Sequence, residues 1–429
     1  MEMGRPIIGI VGVTHLGINT GTAIADRGFS TVWYSDDCEA ISLIEKGELP
    51  VFEPDLDSSF KKNRPNIELT NSLSDLERCD VVYIAIDVPT SDTGFSNLAV
   101  IEETIARALR YIGESSTLVI LSQVPPGFTR KINFPHDRLF YQVETLVFGQ
   151  ALQRAINPER FIVGLSDADA ALPVSYRTLL ERFECSVLKM RYESAELAKI
   201  SINCCLAAMV STANMLAELC ERIGADWAEI VPALRLDQRI GPHSYILAGL
   251  GLAGGNLERD LATVTRLAEK VGSDSVIVKS WIKNSDHRKG WVYRNLEKDL
   301  YANDPVAVLG VLGLAYKKDT HSVKNSPSLS LLEQLKNNNV RVYDPVIKEI
   351  DYPFVHYVNK PLDVCIDADA VAIMTPWDEF SSLDLKTIAS MMRGRLLLDP
   401  YGVFSAKDAW AAGFDYRTLG LDSSIRVGG

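Results

Sequence analysis

The sequence lacks most of the features that would assign a chain to a specialised class. Six histidines and seven cysteines are spread over 429 residues without any Cys/His pair at ligand spacing, which argues against a structural zinc. Cys38, Cys79, Cys185, Cys204, Cys205, Cys220 and Cys365 are odd in number and unpaired in spacing. That pattern suits a reducing compartment better than a disulfide-stapled secreted protein. Positive charge is also short, with 44 Lys and Arg against 56 Asp and Glu for a net charge of -12. Nucleic acid and membrane surfaces are therefore not expected partners, and a phosphorylated ligand needs a local basic site. The opening apolar run, Ile7 to Val13, is too short for a signal peptide, and no other stretch approaches a membrane span. The cytoplasm is the expected address. Low-complexity segments and long Pro- or Ser-rich linkers are missing too.

What is present reads as a large α/β protein. Hydrophobic residues make up 47% and charged residues 23%, the balance of a globular chain, and the length calls for two or three domains. Short runs rich in Val and Ile at Ile7–Val13, Thr31–Tyr34, Asp80–Ile86 and Thr117–Leu121 predict buried strands. Segments of helical spacing such as Ala99–Tyr111 lie between them. Strands alternating with helices imply a parallel sheet covered on both faces. From Glu193 to Ile223 there is neither Pro nor Gly, predicting a helix of roughly thirty residues, about 45 Å long, ended by Gly224. Helical pattern continues to about Trp291. The alternation then restarts with Val306–Tyr316, Val340–Asp344 and Ala370–Met374 as further strands.

Gly12-Val-Thr-His-Leu-Gly17 follows the first strand and opens a helix, where a dinucleotide fingerprint belongs. Thr14 stands where the second glycine is expected, and its side chain would intrude on a pyrophosphate unless the loop has shifted. The acidic position at the end of the second strand is Ser35, followed by Asp36 and Asp37. No Arg or Lys follows to hold a 2′-phosphate. His15 reads more readily as a solvent-facing or packing residue than as a catalyst.

The segment Glu193-Ser-Ala-Glu-Leu-Ala-Lys-Ile-Ser-Ile-Asn203, continued by Met215-Leu-Ala-Glu-Leu-Cys-Glu-Arg-Ile-Gly-Ala-Asp226, closely resembles the long helix of UDP-glucose and GDP-mannose (nucleotide-sugar) dehydrogenases. Other matches keep that family's order. They are Glu53-Pro-Asp-Leu56, Ser122-Gln-Val-Pro-Pro-Gly127, Gln142-Val-Glu-Thr-Leu146, Asp237-Gln-Arg-Ile-Gly241, Gly313-Leu-Ala-Tyr-Lys-Lys-Asp319 with Asn325-Ser-Pro327, and Thr375-Pro-Trp-Asp-Glu-Phe380. The resemblance covers nearly the whole chain. It implies two Rossmann-like, doubly wound parallel-sheet domains joined by a central helical domain with one long helix. The expected divisions are a cofactor domain over 1–191, a helical, dimer-forming domain over 192–298 and a nucleotide-sugar (UDP) domain over 299–429, with the active site in the cleft between the terminal domains.

The resemblance also implies roles. Lys199, Asn203, Glu144 and Asp260 match catalytic positions, and Lys199 and Asn203, four apart, share one helix face. A buried ammonium beside an amide there could stabilise a developing alkoxide. NAD, with NADP left open, would meet Gly12, Thr14, His15, Leu16, Gly17, Ser35, Asp36, Pro89, Gln123 and Lys324. A nucleotide sugar, most readily a UDP-sugar, would meet Leu146, Arg239, Tyr245, Gly251, Gly254, Tyr316 and Lys317. A homodimer through the central helix is expected.

The departures decide the function. The family's thiol nucleophile falls at Asn256, within Gly251-Leu-Ala-Gly-Gly-Asn-Leu-Glu-Arg-Asp260. An amide is not a nucleophile where a thiolate is. The family's Arg positions hold Lys324 and Tyr401, its Thr positions Gln123 and Val88. Cys204 and Cys205 neighbour Asn203 but point about 100° and 200° away from it around the helix. Three readings stay open. The chain is a nucleotide-sugar oxidoreductase with an altered outcome, a non-oxidative nucleotide-sugar-binding protein, or an epimerase- or lyase-type enzyme using tightly held NAD.

Overall fold

Apolar β-branched residues in short runs can bury both faces only inside a covered sheet, and the chain builds two of them. The computed structural model describes residues 5–89, 91, 95–336 and 338–422. It divides into two compact units, Met1–Ile202 and Asn203–Gly429.

In the first unit, strands β1 (Ile8–Val11), β2 (Thr31–Tyr34), β3 (Ile67–Thr70), β4 (Val81–Ile84), β5 (Thr117–Ile120), β6 (Leu139–Gln142), β7 (Arg160–Leu165) and β8 (Ser186–Arg191) form one sheet in the order β3-β2-β1-β4-β5-β6-β7-β8. Every residue of β1, β2, β4, β5 and β6 is buried. The period of two splits them between two cores. Ile8, Ile10, Trp33 and Tyr83 pack on one face, while Val11, Val32, Tyr34 and Ile84 pack on the other. All pairings are parallel except β6 with β7, so the sheet is mixed at that one seam. The strand order reverses between β1 and β4, which opens a crevice at their carboxyl ends. Segments 12–14, 85–89 and 121–128 leave the sheet at that edge.

The long helix spans Tyr192–Ile223, 32 residues, ending at Gly224. Its first turns are bound into the first unit. The Tyr192 hydroxyl donates to the Leu139 carbonyl at 2.7 Å, and the buried Glu196 carboxylate accepts from the Gly127 and Thr129 amides at 2.5 and 2.8 Å. This helix corrects the expectation that no stretch approaches a membrane span. By length and composition it could cross one, since an 18-residue window reaches a mean hydropathy of 1.5. That window is 39% buried within the protein, and the charged residues at the two ends of the helix have protein partners.

In the second unit, helices Trp227–Leu236, Asn256–Val271, Val276–Lys289 and Trp291–Leu296 precede a second sheet. Its strands are β9 (Val308–Leu312), β10 (Asn339–Tyr343), β11 (Val355–Tyr357), β12 (Ala370–Ile373), β13 (Leu396–Leu398) and β14 (Asp415–Arg417), all parallel, in the order β11-β10-β9-β12-β13-β14. The same reversal recurs between β9 and β12. Asp344, just past β10 and 2% exposed, fixes the loop there. It accepts from the amides of Leu314, Ala315, Val346 and Ile347 and from the Trp377 indole, at 2.7–3.2 Å. Asp344→Ala leaves those donors buried without an acceptor. A loss of about 3 kcal/mol or more in urea denaturation is expected, and a loss under about 1 kcal/mol would show the loop is held by something else.

Candidate functional site

The fingerprint loop is shaped by two glycines. Gly12 has φ +116°, and a Cβ on it would come within 2.8 Å of the Ala85 carbonyl oxygen. A Cβ on Gly17 would sit 1.9 Å from the Gly12 carbonyl oxygen, so only glycine lets this helix start so close to the strand. Thr14 caps the helix His15–Asp26. Its hydroxyl donates to the Ala85 carbonyl at 2.8 Å and accepts from the Gly17 amide at 3.2 Å. The hydroxyl is therefore folded back onto the loop's own backbone, which answers the expected obstruction without displacing the loop. The amides of His15 and Leu16, in the helix's first turn, have no intrahelical acceptor by position. A helix start of this kind with two glycine approaches fits a dinucleotide pyrophosphate.

The end of β2 meets a cation that spacing did not reveal. Asp36 is bound by both terminal nitrogens of Arg107, each at 2.6 Å, and by the Tyr34 hydroxyl. The Arg107 hydrogen bonds hold the Asp36 carboxyl below its ordinary range, while burial pushes the Tyr34 hydroxyl up to about 12. Ser35 accepts from the Asp37 amide at 3.1 Å. Pro89 is exposed, its carbonyl taking the Asn97 amide, and Gln123 is half-buried beyond β5.

Glu144 lies two residues beyond β6. One of its oxygens accepts from the Leu146 amide at 2.9 Å and the other meets the Lys199 ammonium at 2.7 Å. Both side chains are largely enclosed, 14% and 10% exposed. Behind them Gln142 accepts the buried hydroxyls of Tyr83 and Tyr176 at 2.9 and 2.8 Å. A small cavity of about 40 Å³ touches Leu16, Gln142, Glu144 and Leu146. Glu53, quoted in a motif but given no role, proves to be the hub of this region. Its buried carboxylate meets His15 Nε2 at 2.7 Å and accepts from the amides of Gly149 and Ala151 at 3.0 and 3.1 Å. His15, whose ring lies 4.2 Å from Phe148, is thus a packing and tethering residue.

In the second unit the Asn203 amide donates to Asp260 at 2.5 Å, and Asp260 is also paired with Arg259 at 3.2 Å. Asp260 is 1% exposed, whereas Asn256, the first residue of its helix, is exposed. The preceding turn is overlaid by distant residues. Tyr316 lies against Gly254, the Lys324 side chain crosses Gly255, and Asn325 donates to the Gly254 carbonyl at 3.4 Å. Gly251 abuts Ser285 in the same way, and Lys317 sits 5.8 Å from the Tyr316 ring centre. Glu258 is bound by Lys289 at 2.9 Å, and burial pushes its carboxyl up. Arg239 and Tyr245 are not drawn into this cluster. The Arg239 side chain is 89% exposed and closes on Asp237 of its own loop, and Tyr245 is 53% exposed. The thiol nearest in sequence to Asn203, Cys204, is pushed up to about 11 by burial and by the Asp260 charge, which makes it a poor nucleophile. Cys205 is exposed, as is Cys38 in the first unit.

Removing the Glu53 hub strips acceptors from the buried Ala151 amide, the part-buried Gly149 amide and one imidazole. Glu53→Ala is expected to cost about 2–4 kcal/mol in chemical denaturation, with Glu53→Gln retaining part of it. Equal stability of Glu53→Ala and the parent chain would remove Glu53 from this role.

Sequence profiles of one family match along the chain. The UDP-glucose/GDP-mannose dehydrogenase NAD binding domain matches residues 7–183, the central domain residues 193–286 and the UDP binding domain residues 310–406. UDP-glucose 6-dehydrogenase TuaD of Bacillus subtilis is 27% identical over 96% of this chain and 93% of its own. The UDP-glucose 6-dehydrogenase of Rickettsia typhi is 27% identical over 96% and 99%. Among solved structures, a UDP-glucose dehydrogenase from Pyrobaculum islandicum superposes with a TM-score of 0.85 at 24% identity, covering 98% of this chain and 99% of that one. A UDP-D-ManNAc dehydrogenase from Pyrococcus horikoshii gives 0.83 at 24%, covering 96% and 99%. At that identity the likeness establishes the fold.

Proposed function

Because this chain belongs to the UDP-glucose/GDP-mannose dehydrogenase family, we propose that it oxidises a nucleotide-sugar hydroxyl, most readily of a UDP-sugar, and stops at the carbonyl instead of continuing to the acid. The observation that carries this reading is Asn256 at the family's thiol position, with the half-buried Cys204 thiol pushed up by desolvation and the Asp260 charge. Without a thiol no thiohemiacetal forms, and the covalent half of a four-electron oxidation has no route.

The first two-electron step needs none of that. Bound NAD supplies the hydride acceptor. Lys199, clamped by Glu144, presents an ammonium where an alkoxide develops, and Asn203, held by Asp260, presents an amide. The sugar carbon loses its hydrogen with the electron pair, the hydroxyl proton leaves through a base, and a carbonyl results with one reduced cofactor. Residues 1–191 hold the dinucleotide, 192–298 form the helical domain, and 299–429 take the nucleotide. Leu146, Gly251, Gly254, Tyr316, Lys317, Arg239 and Tyr245 serve the nucleotide sugar. The exposed Met215, Leu219 and Ile223 of the long helix suit a homodimer, working on a soluble nucleotide sugar in the cytoplasm.

Calorimetry with NAD, UDP-glucose and GDP-mannose, followed by the absorbance of reduced nicotinamide, tests the proposal. One reduced cofactor per sugar consumed is expected, rising towards two in Asn256→Cys and unchanged in Cys204→Ala. Nucleotide-sugar binding with no reduced cofactor formed, or two formed by the parent chain, would overturn it.

A further inference from the structure

At the carboxyl end of β2 a doubly wound dinucleotide domain selects its cofactor by charge. An acidic side chain there grips the two adenosine-ribose hydroxyls and repels a phosphate on the 2′ oxygen. This chain has dismantled that arrangement in two ways. Ser35 is neutral at the position following the strand. The carboxylate that follows is already engaged: Asp36 Oδ1 accepts from Arg107 Nη2 and the Tyr34 hydroxyl, and Oδ2 accepts from Arg107 Nη1. Asp37 is turned away to cap its own helix, accepting from the amides of Glu39 and Ala40 at 3.0 and 2.9 Å.

Arg107 supplies the complementary half. It projects from the helix Ala99–Ala108 and remains 40% exposed, while Asp36 is 59% exposed, so both are within reach of a ligand. A guanidinium carries five N–H donors. Three are used here, two on Asp36 and one on the Tyr34 oxygen at 3.1 Å. The remaining Nε–H and Nη1–H stay available to a phosphate oxygen, the partner whose geometry a guanidinium matches best.

We infer that Arg107, at the end of β2 with the neutral Ser35, forms a subsite for a 2′-phosphate, so that the chain accepts dinucleotides with and without that group. This rests on the dinucleotide-binding reading above and sharpens it. Asp36 acts as the restraint: its charge keeps Arg107 partly occupied and prevents a strong preference for the phosphorylated form.

The test is calorimetric and needs no turnover. The purified full chain is titrated with NAD, NADP and adenosine 2′,5′-bisphosphate, alongside Arg107→Ala, Arg107→Lys and Asp36→Asn. The parent chain is expected to bind NAD and NADP within about tenfold of each other and to bind the bisphosphate. Arg107→Ala is expected to weaken NADP and the bisphosphate by roughly thirtyfold or more while moving NAD less than about threefold, with Arg107→Lys between them. Asp36→Asn is expected to shift the preference towards NADP. NAD binding without NADP binding in the parent chain, or equal loss of both cofactors in Arg107→Ala, overturns the subsite. Failure of the parent chain to bind either dinucleotide overturns the cofactor reading itself, and the subsite with it.

Discussion

A carboxylate removed from water must collect hydrogen-bond donors or give up its charge, because desolvation alone costs several kcal/mol. Backbone amides at loop turns are the nearest donors, so the buried acids Glu53, Glu196 and Asp344 each become the fastening of a loop. Glu53 fastens the turn at Gly149–Ala151 to His15 of the fingerprint, Glu196 fastens Gly127–Thr129, and Asp344 fastens the turns that follow β9 and β10. At Glu196 burial outweighs the donors and the carboxyl is raised, as it is at Asp399 below the Phe404 amide and the Tyr416 hydroxyl. The open edges of both sheets are therefore shaped by electrostatics, and the sheets themselves by apolar burial.

That division explains what could be read in advance. Strands buried on both faces announce themselves as apolar runs, so β1, β2, β4 and β5 were legible within a residue or two. β7 and β8 were not, because β8 is mostly exposed along its length and β7 follows a reversal against β6 that has no periodic mark. The long helix was legible because thirty residues without Pro or Gly leave little alternative. The motif order singled out Lys199, Asn203, Glu144 and Asp260, but not what binds them. Contacts such as Arg107 to Asp36 or Glu53 to Ala151 join residues 71 and 98 positions apart, and no local pattern encodes such a separation. Thr14 misled for a related reason: a side chain's direction depends on which backbone groups surround it.

Two polar pairs are each closed within one unit. Lys199 and Glu144 belong to the first, Asn203 and Asp260 to the second, although one helix carries both Lys199 and Asn203. Each pair is satisfied by its own unit.

The sulfur inventory has a practical side. Burial pushes up Cys79, Cys185, Cys204, Cys220 and Cys365, leaving Cys38 and Cys205 as the exposed sulfurs, one in each unit. Alkylating dyes at neutral pH favour accessible thiols over buried ones. The native chain thus already carries one attachment point in each unit for fluorescence labelling, without engineering a single cysteine.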